Sequence, residues 1–323
     1  MRNRIIILGA VVLLVIAAAS GAWFYAAGQI SQQVEALAFN DGETSPQLSC
    51  ANLSVSGYPF AFDVDCTDAV IVSGDILIEV PGLRASAQVT NLFHYILSAK
   101  GAAEISDSFS GQRSTLAWSG MQASLRFADG RIERLSVVAD DLAWNDSLFT
   151  DALIAHAGHA EMHFGDMPEA FDPANGLASL AIYLVAQDVE VPALTLANTE
   201  VEAEAELSGV PADVFALGAT PVLPLWQQAG GRLKVVSVRA SDPNSDLTAQ
   251  GDLGLDDQGY LEGALEISSA GVAGRIGPMI EEPWRTLVLG VAGPDGRHTN
   301  QLNFRGGALS SGLVPIASLP PLF

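Results

Sequence analysis

Positive charge is scarce in this 323-residue sequence, which has 15 Lys and Arg residues against 37 Asp and Glu residues. Lysine occurs only at Lys100 and Lys234. Phosphate-binding surfaces need clusters of Lys and Arg, and an acidic field repels nucleic acids and anionic membrane surfaces. The composition therefore excludes nucleic acid as a partner.

Catalytic signatures are also missing. The sequence has no HExxH, GxSxG, GxxxxGK[ST] or CxxC motif and no EF-hand spacing. Acidic pairs such as Asp140-Asp141 and Asp256-Asp257 are adjacent in sequence, and adjacent side chains on a strand point to opposite faces, so they do not predict a carboxylate dyad. We expect a protein that is not an enzyme and that uses no cofactor.

Histidine is concentrated in the segment HAGHAEMHFGD, which holds His156, His159 and His163. On a helix the spacing would align all three, whereas on a strand His159, Glu161 and His163 would share one face. Zinc accepts such ligands, but solvated histidines on a strand are commoner than zinc ligands. No metal site is predicted, and these three histidines are the candidates if one exists.

One long apolar run is present, at the N-terminus. Ile5 to Ala27 carries no charge and its 23 residues are long enough to span a hydrocarbon core of about 30 Å. Arg2 and Arg4 precede it, and basic flanks favour the cytoplasmic side, so the rest of the chain is expected outside. Trp23 and Tyr25 fall where an aromatic belt would meet the far interface.

The alternative is a cleaved signal peptide, because AAASGA supplies the small residues of a cleavage site. With the helix retained, we predict four parts: a cytoplasmic tip at 1–4, a transmembrane anchor at 5–27, a helical or linker stalk at 28–45 and a β-rich extracytoplasmic domain at 46–323. All 37 acidic residues follow the anchor, against 13 basic ones, so this outer part has a formal charge of −24.

The only two cysteines are Cys50 and Cys66. In an oxidising compartment, two nearby cysteines are expected to be bonded. A hairpin that turns around Tyr58 sets them directly opposite each other, within the Cα separation that a disulfide accepts. The same register sets apolar residues after the turn against polar ones before it, so a bulge or a longer turn is an alternative. Two unpaired buried cysteines are the other alternative.

Turn dipeptides between apolar runs predict an antiparallel sheet rich in hairpins. They are Ser73-Gly74, Asp129-Gly130 and Asp295-Gly296, where glycine supplies the positive φ of a tight turn. Around the second of these, the register would set Arg126 opposite Glu133. We predict a mainly β (α+β) fold: an N-terminal transmembrane helix, then a curved, mostly antiparallel sheet with a few short helices.

The segment TEVEAEAELSG alternates acidic and apolar residues, so a strand would place four carboxylates on one solvated face: Glu200, Glu202, Glu204 and Glu206. Leu177 to Pro192 is apolar at odd and even positions, which predicts a strand covered on both faces. In LTAQGDLGLDDQGYLEGALEIS, glycines lie in phase with leucines, so either a backbone or an apolar partner should pack closely there.

Two segments predict short helices that cap an open end or the mouth of the sheet. One is Pro211 to Gly230, which Pro221 or Pro224 would break. The other is Ala270 to Gly293, which also contains interior prolines.

Several segments together resemble the bacterial envelope family called domain of unknown function 2125. They are the cysteine hairpin with its SGYPF turn, LWQQAGGRLKVVSV, LTAQGDLGLDDQGYLEGAL and GGALSSGLVPIASLPPL, and they cover most of the chain after the anchor. The matching positions, none of a catalytic type, are Cys50, Gly57, Tyr58, Pro59, Phe60, Cys66, Trp226, Gly230, Gly231, Gly251, Gly259, Gly263 and Pro315. The resemblance implies a single-pass protein of the bacterial inner membrane, with a cytoplasmic N-terminus and its bulk in the periplasm.

The order of anchor, long sheet, glycine-rich hairpin and closing LPPL is similar, more loosely, to large envelope proteins related to AsmA, which look like half-open β grooves for lipid. By this analogy, and from an apolar fraction of 49%, we expect lipid or another apolar ligand to bind in a β groove. The alternative is a non-enzymatic envelope adaptor or structural protein that binds another protein through the acidic Glu200 to Glu206 face or a sheet edge.

Overall fold

A computed structural model describes residues 2–43, 45–212, 222–276, 280 and 282–323. The chain divides into two compact units, Met1–Gly111 and Gln112–Phe323. In both units antiparallel strands dominate, which confirms the predicted mainly β fold.

Within its described residues, the first unit contains a long helix and five antiparallel strands. Helix α1 spans Arg2–Ala36, and a 3-10 turn, Leu37–Phe39, follows it. The strands are β1 (Gln47–Ser56), β2 (Ala61–Ser73), β3 (Ile76–Gln88), β4 (Asn91–Lys100) and β5 (Ala103–Asp107). β1, β2, β3 and β4 pair in chain order, and β5 pairs with the first part of β3 while β4 pairs with the last part.

The C-terminal part of α1 packs against the turn between β1 and β2. Trp23 and Ala27 are buried there together with Phe62. The indole N–H of Trp23 donates a hydrogen bond to the carbonyl of Ala61 at 3.0 Å, and its ring stacks on that of Phe62 at a centroid distance of 5.3 Å. These contacts fix the helix to the sheet by apolar burial and one satisfied indole donor.

The N-terminal part of α1 is bare. Its large apolar side chains from Ile5 to Ile16 are all exposed. Among the described residues, the helix across 3–39 is the one that is long and apolar enough to cross a membrane by length and composition, a test that a signal sequence also passes. The helix and a disulfide together indicate a secreted or envelope location.

The disulfide prediction is confirmed, because Cys50 and Cys66 are bonded with Cα atoms 5.3 Å apart. The predicted register around Tyr58 is wrong. The ladder pairs Cys50 with Ala69 and Leu53 with Cys66. The cause is a turn longer than a two-residue hairpin loop, since four residues, 57–60, separate β1 from β2.

The second unit is an antiparallel meander. Its strands are β6 (Arg113–Ala117), β7 (Gly120–Ala128), β8 (Arg131–Asp146), β9 (Ala152–Asp166), β10 (Leu177–Val191), β11 (Leu196–Pro211), β12 (Arg232–Asp242), β13 (Ser245–Leu255), β14 (Leu261–Ala270), β15 (Val291–Ala292), β16 (His298–Arg305), β17 (Ala308–Ser311) and β18 (Val314–Ser318). From β7 to β14 each strand pairs with the next, and β14, β16, β17 and β18 continue the series. β6 pairs with β8 and β15 pairs with β16.

All three predicted hairpin turns join consecutive strands. The register beside Asp129-Gly130 is wrong by one position, because a bulge between Arg126 and Phe127 sets Arg126 opposite Arg134. The guanidinium of Arg126 still reaches the carboxylate of Glu133, at 3.9 Å.

The helices of this unit are short: α2 (Val222–Gln228), α3 (Val272–Ile276) and α4 (Trp284–Leu289). Pro211 ends β11 and does not begin a helix, because it pairs with Leu177 of β10 at the end of the ladder. Pro224 lies within α2 and Pro283 directly precedes α4, whereas Pro221 and Pro278 lie outside the described residues.

Replacing Trp23 with alanine should destabilise the first unit by about 3 kcal/mol or more, the usual cost of truncating a buried aromatic side chain. Urea unfolding in detergent micelles measures this loss. The matched control is Phe109→Ala, since Phe109 is an exposed aromatic residue of the same unit, and it should change the stability by no more than roughly 0.5 kcal/mol. Equal effects of the two substitutions would show that α1 is not docked through Trp23.

Candidate functional site

The strand registers of the second unit align mostly apolar side chains in three rows on one face of the sheet. Residues that pair directly across antiparallel strands lie on the same face. The first row is Leu125, Leu135, Phe164, Ile182, Ala205, Val235, Gly251, Leu265 and Leu302; the second is Ala123, Val137, Met162, Leu184, Ala203, Val238, Ala249, Ile267 and Asn300; the third is Met121, Ala139, Ala160, Ala186, Val201, Ala240, Leu247, Ser269 and His298. We call these three rows the apolar stripe.

The apolar stripe crosses nine strands, β7 to β14 and β16. At a spacing of about 4.8 Å between strands, eight intervals give a path of about 38 Å along the sheet. This length exceeds the roughly 30 Å thickness of a hydrocarbon core. The stripe is therefore long enough for an extended hydrocarbon chain.

The apolar stripe is only half-buried. Of its members, Ala139 and Ser269 are buried and the remainder keep intermediate exposure. In a two-layered β protein, such Leu, Ile, Val and Phe side chains would be buried against the facing layer. A contiguous apolar surface of this extent makes the stripe a candidate binding surface.

Helices α3 and α4 pack against β13, β14 and β16 and so close one side of the apolar stripe. Leu289 of α4 is only 4% exposed. The side-chain amide of Asn300 donates hydrogen bonds to two backbone carbonyls of α4, at 2.8 and 2.9 Å. Arg275 of α3 pairs at 2.7 Å with Asp242, whose side chain is 1% exposed.

Two polar atoms beside this closed side are buried without a hydrogen-bond partner among the described residues: the Oγ atom of Ser269 and the Nδ1 atom of His298. The two residues pair directly across β14 and β16 in the third row. Buried polar atoms are normally satisfied, and a bound water molecule or ligand is one explanation for an exception.

The opposite face of the sheet is polar. β11 places the predicted row of Glu200, Glu202, Glu204 and Glu206 there, because it alternates with the apolar stripe. The carboxylate of Glu202 accepts a hydrogen bond from the Tyr183 hydroxyl at 3.1 Å, and lies 3.6 Å from Arg239. Lys234 lies 3.1 Å from Glu206.

The histidine segment forms β9, so its side chains alternate between the two faces of a strand and do not align along a helix. His159, Glu161 and His163 share a face, and His156 alternates to the other. Glu161 lies 2.8 Å from the Nε2 atoms of both His159 and His163, and Asp140 lies 2.7 Å from the Nδ1 atom of His159. Within the described part of the chain no three His, Cys, Asp or Glu side chains form a group that could hold a metal ion.

These contacts shift two pKa values in opposite directions. Hydrogen bonds to Glu161 and then to Asp140 raise the pKa of His159 above its ordinary 6.5. Hydrogen bonds from His159 and then from His163 lower the pKa of Glu161 below its ordinary 4.5. The arrangement therefore holds a charged pair on the polar face of the sheet, away from the apolar stripe.

The family-pattern residues occupy structural positions. A Cβ atom at Gly231 would collide with the indole ring of Trp226, whose N–H donates to the carbonyl of Ser208 at 2.7 Å. Gly251 and Gly263 have positive φ values of 159° and 127°, and a Cβ atom at either would collide with a carbonyl of the neighbouring strand. Of the two alternatives given for these glycines, a closely packed backbone or an apolar partner, the structure has the closely packed backbone.

The other family-pattern positions form turns or lie in strands. Gly57, Tyr58, Pro59 and Phe60 form the turn between β1 and β2; Gly230 follows α2; Gly259 lies between β13 and β14; and Pro315 lies in β18.

A protein-family model described as "Uncharacterized protein conserved in bacteria (DUF2125)" matches residues 23–320. No curated protein and no solved structure matches the chain. The looser similarity to AsmA-related proteins therefore has no support from these comparisons. The matched region begins at Trp23, the buried residue that fixes α1 to the sheet, and it contains the entire apolar stripe.

Substituting Glu161 with glutamine should lower the pKa of His159 towards 6.5, because the carboxylate that favours the charged imidazole is removed. NMR titration of the imidazole signals measures this pKa. Glu204→Gln is the control on the same face and should leave it unchanged. An unchanged pKa of His159 in the Glu161 variant would contradict the assigned contact.

The same two shifts predict how stability depends on pH. Since the pKa of His159 is raised, its stabilising contribution is complete below pH 6.5 and is lost as the pH rises through the folded-state pKa. Since the pKa of Glu161 is lowered, its contribution is present above pH 4.5 and is lost as the pH falls through the folded-state pKa. The contact therefore stabilises the second unit most between these limits, and Glu161→Gln should flatten that maximum.

Proposed function

The chain belongs to the DUF2125 family, and from that membership and the apolar stripe we propose that it is an envelope protein that holds lipid or another apolar ligand on the stripe. The observation that carries the proposal is the half-buried state of the stripe across nine strands. Covering apolar surface gains roughly 25 cal/mol for each Å² removed from water. A ligand lying along the stripe would supply the apolar contact that a second layer provides in other β proteins.

The proposed location is the bacterial inner membrane, with α1 as a single-pass anchor, the N-terminus in the cytoplasm and both units in the periplasm. The bare apolar part of α1 supports a membrane-spanning role, and Arg4 at its start supports the orientation. The Cys50–Cys66 disulfide supports an oxidising compartment for the first unit. An anchored protein would remain tethered to a source of lipid.

The proposed ligand is an amphipathic molecule with an extended apolar chain. The stripe offers Leu, Ile, Val, Met, Phe and Ala side chains to that chain. At its closed side, the unpartnered Oγ atom of Ser269 and Nδ1 atom of His298 offer hydrogen bonds to a polar group at one end. A pure hydrocarbon would leave both atoms unsatisfied.

We propose no catalytic role. The cluster of titratable side chains formed by His159, Glu161 and His163 lies on the face opposite to the stripe. A ligand on the stripe would therefore be bound without contact to these groups.

An adaptor that binds a basic partner through the Glu200 to Glu206 row is the second candidate. Its support is the formal charge of −24 after the anchor. Arg239 and Lys234 already lie beside Glu202 and Glu206, which reduces the negative charge that the row offers to a partner. The lipid-binding proposal therefore has the stronger structural support.

Full-length protein purified in a mild detergent that is absent from cells should carry lipid or another apolar molecule, detected by native mass spectrometry and extraction. Ala249→Asp introduces a charge into the middle row of the stripe and should reduce the bound amount at least fivefold. Ala249→Phe should also reduce it, by occupying the surface without adding charge.

Thr248→Asp is the matched control, because Thr248 is the adjacent residue and is exposed on the opposite face. It should leave the bound amount unchanged. Absence of any copurifying apolar molecule, or equal loss in the control, would overturn the proposal. Recovery of a protein partner that is released by salt and by Glu200→Gln with Glu204→Gln would favour the adaptor.

A further inference from the structure

We propose that one end of the first unit's sheet is a second membrane contact, seated in the periplasmic leaflet of the bilayer that α1 crosses. This end, the tip, consists of Tyr58, Phe60, Val89, Leu92 and Phe93. The inference rests on the anchoring part of the proposed function and is independent of any ligand on the apolar stripe.

The tip is formed by two turns that lie side by side. One joins β1 to β2 and the other joins β3 to β4, and the backbone N–H of Val89 donates a hydrogen bond to the carbonyl of Phe60 at 2.9 Å. All five side chains are exposed, with Phe60 at 79% and Phe93 at 68%. Two adjacent turns that both present aromatic and aliphatic side chains form an apolar surface.

The helix contacts show where the tip lies along α1. The Tyr58 hydroxyl is hydrogen-bonded to the Ser20 hydroxyl at 2.6 Å, and the Tyr58 ring stacks on Phe24 at a centroid distance of 5.4 Å. Because Trp23 is also fixed to Ala61, the turn between β1 and β2 is held beside residues 20–24 of the helix.

This position corresponds to the boundary of the hydrocarbon core. At a rise of 1.5 Å per residue, a core of about 30 Å that begins at Ile5 extends to about residue 25. Ser20 then lies about 7 Å inside the far boundary. The side chains of the tip therefore reach the depth at which aromatic residues anchor proteins to a bilayer.

The charges near the tip are consistent with this placement. Asp63 and Asp65 lie on β2, three and five residues after Phe60, and both pair with Arg84, at 3.1 and 3.7 Å. These carboxylates thus lie along the strand after the turn, whereas the apolar side chains lie at the turn itself. We identify the partner of this apolar surface as a bilayer, because the tip is held against the helix that crosses the bilayer.

Spin labels on the full-length protein in phosphatidylcholine vesicles test this inference. Each variant carries one introduced cysteine that takes the label. Phe93→Cys and Phe60→Cys place it at the tip, Val12→Cys places it within the helix, and Phe109→Cys is the control. Phe109 is 88% exposed and follows β5, which pairs with the end of β3 that is distant from the tip. Because 12 residues of β3 separate the two ends at about 3.3 Å per residue, Phe109 lies about 40 Å from the tip. The native cysteines are bonded to each other and do not take up the label.

Accessibility to oxygen, which concentrates in lipid, is compared with accessibility to a water-soluble nickel chelate. At positions 93 and 60 the oxygen-to-nickel ratio should exceed that at position 109 at least fivefold and approach that at position 12. Each variant must retain the 50–66 disulfide, shown by mass spectrometry without reduction.

A high ratio at position 12 with a low ratio at positions 93 and 60 overturns the inference and leaves the anchor intact. A low ratio at position 12 removes the anchor and the inference together, whatever lipid the stripe retains.

Discussion

An apolar sheet face in water needs an apolar cover, and the apolar stripe of the second unit is such a face. Its stripe runs across nine paired strands, yet nearly all of its members stay half-buried. Helices α3 and α4 close one side only. Edge-to-edge pairing satisfies the backbone hydrogen bonds of every inner strand, so the sheet needs no second layer for that purpose. Under our proposal this cover is a bound molecule, and a lipid-like molecule has the length and the polar end for it.

The first unit explains why the most specific family segment is a turn. SGYPF sets Tyr58 against Ser20 and Phe24, and the following strand sets Phe62 against Trp23. The family match begins at Trp23, so it includes the docked part of α1 and omits most of the bare part. A segment with no catalytic residue type is thus accounted for by its position: it fixes the helix to the sheet, and the nearby disulfide ties β1 to β2.

Local sequence patterns were sufficient to predict the strands, the three hairpin turns and the face on which the Glu200 to Glu206 row lies. Period-two alternation and glycine turns are determined by a few neighbouring residues and can therefore be recognised locally. They failed where register depends on loop length or on a bulge. The four-residue turn shifted the pairing of Cys50, and one bulge shifted that of Arg126. The apolar stripe combines eight registers, and an error of one residue in any of them would move a row to the wrong face. No local pattern could therefore have shown it, and the docking of Trp23 on Phe62 joins residues 39 apart.

The claim that the stripe is a lipid-binding surface is tested most directly inside cells, with a photoreactive phenylalanine analogue placed at Met162 or at Glu161. These neighbours on β9 lie on the stripe and on the polar face, respectively. Illumination should produce lipid adducts at position 162, identified by mass spectrometry of the purified full-length protein, and none at position 161. Adducts at position 162 that join only to other residues of the same chain would show that the protein covers its own apolar face, and would contradict the account.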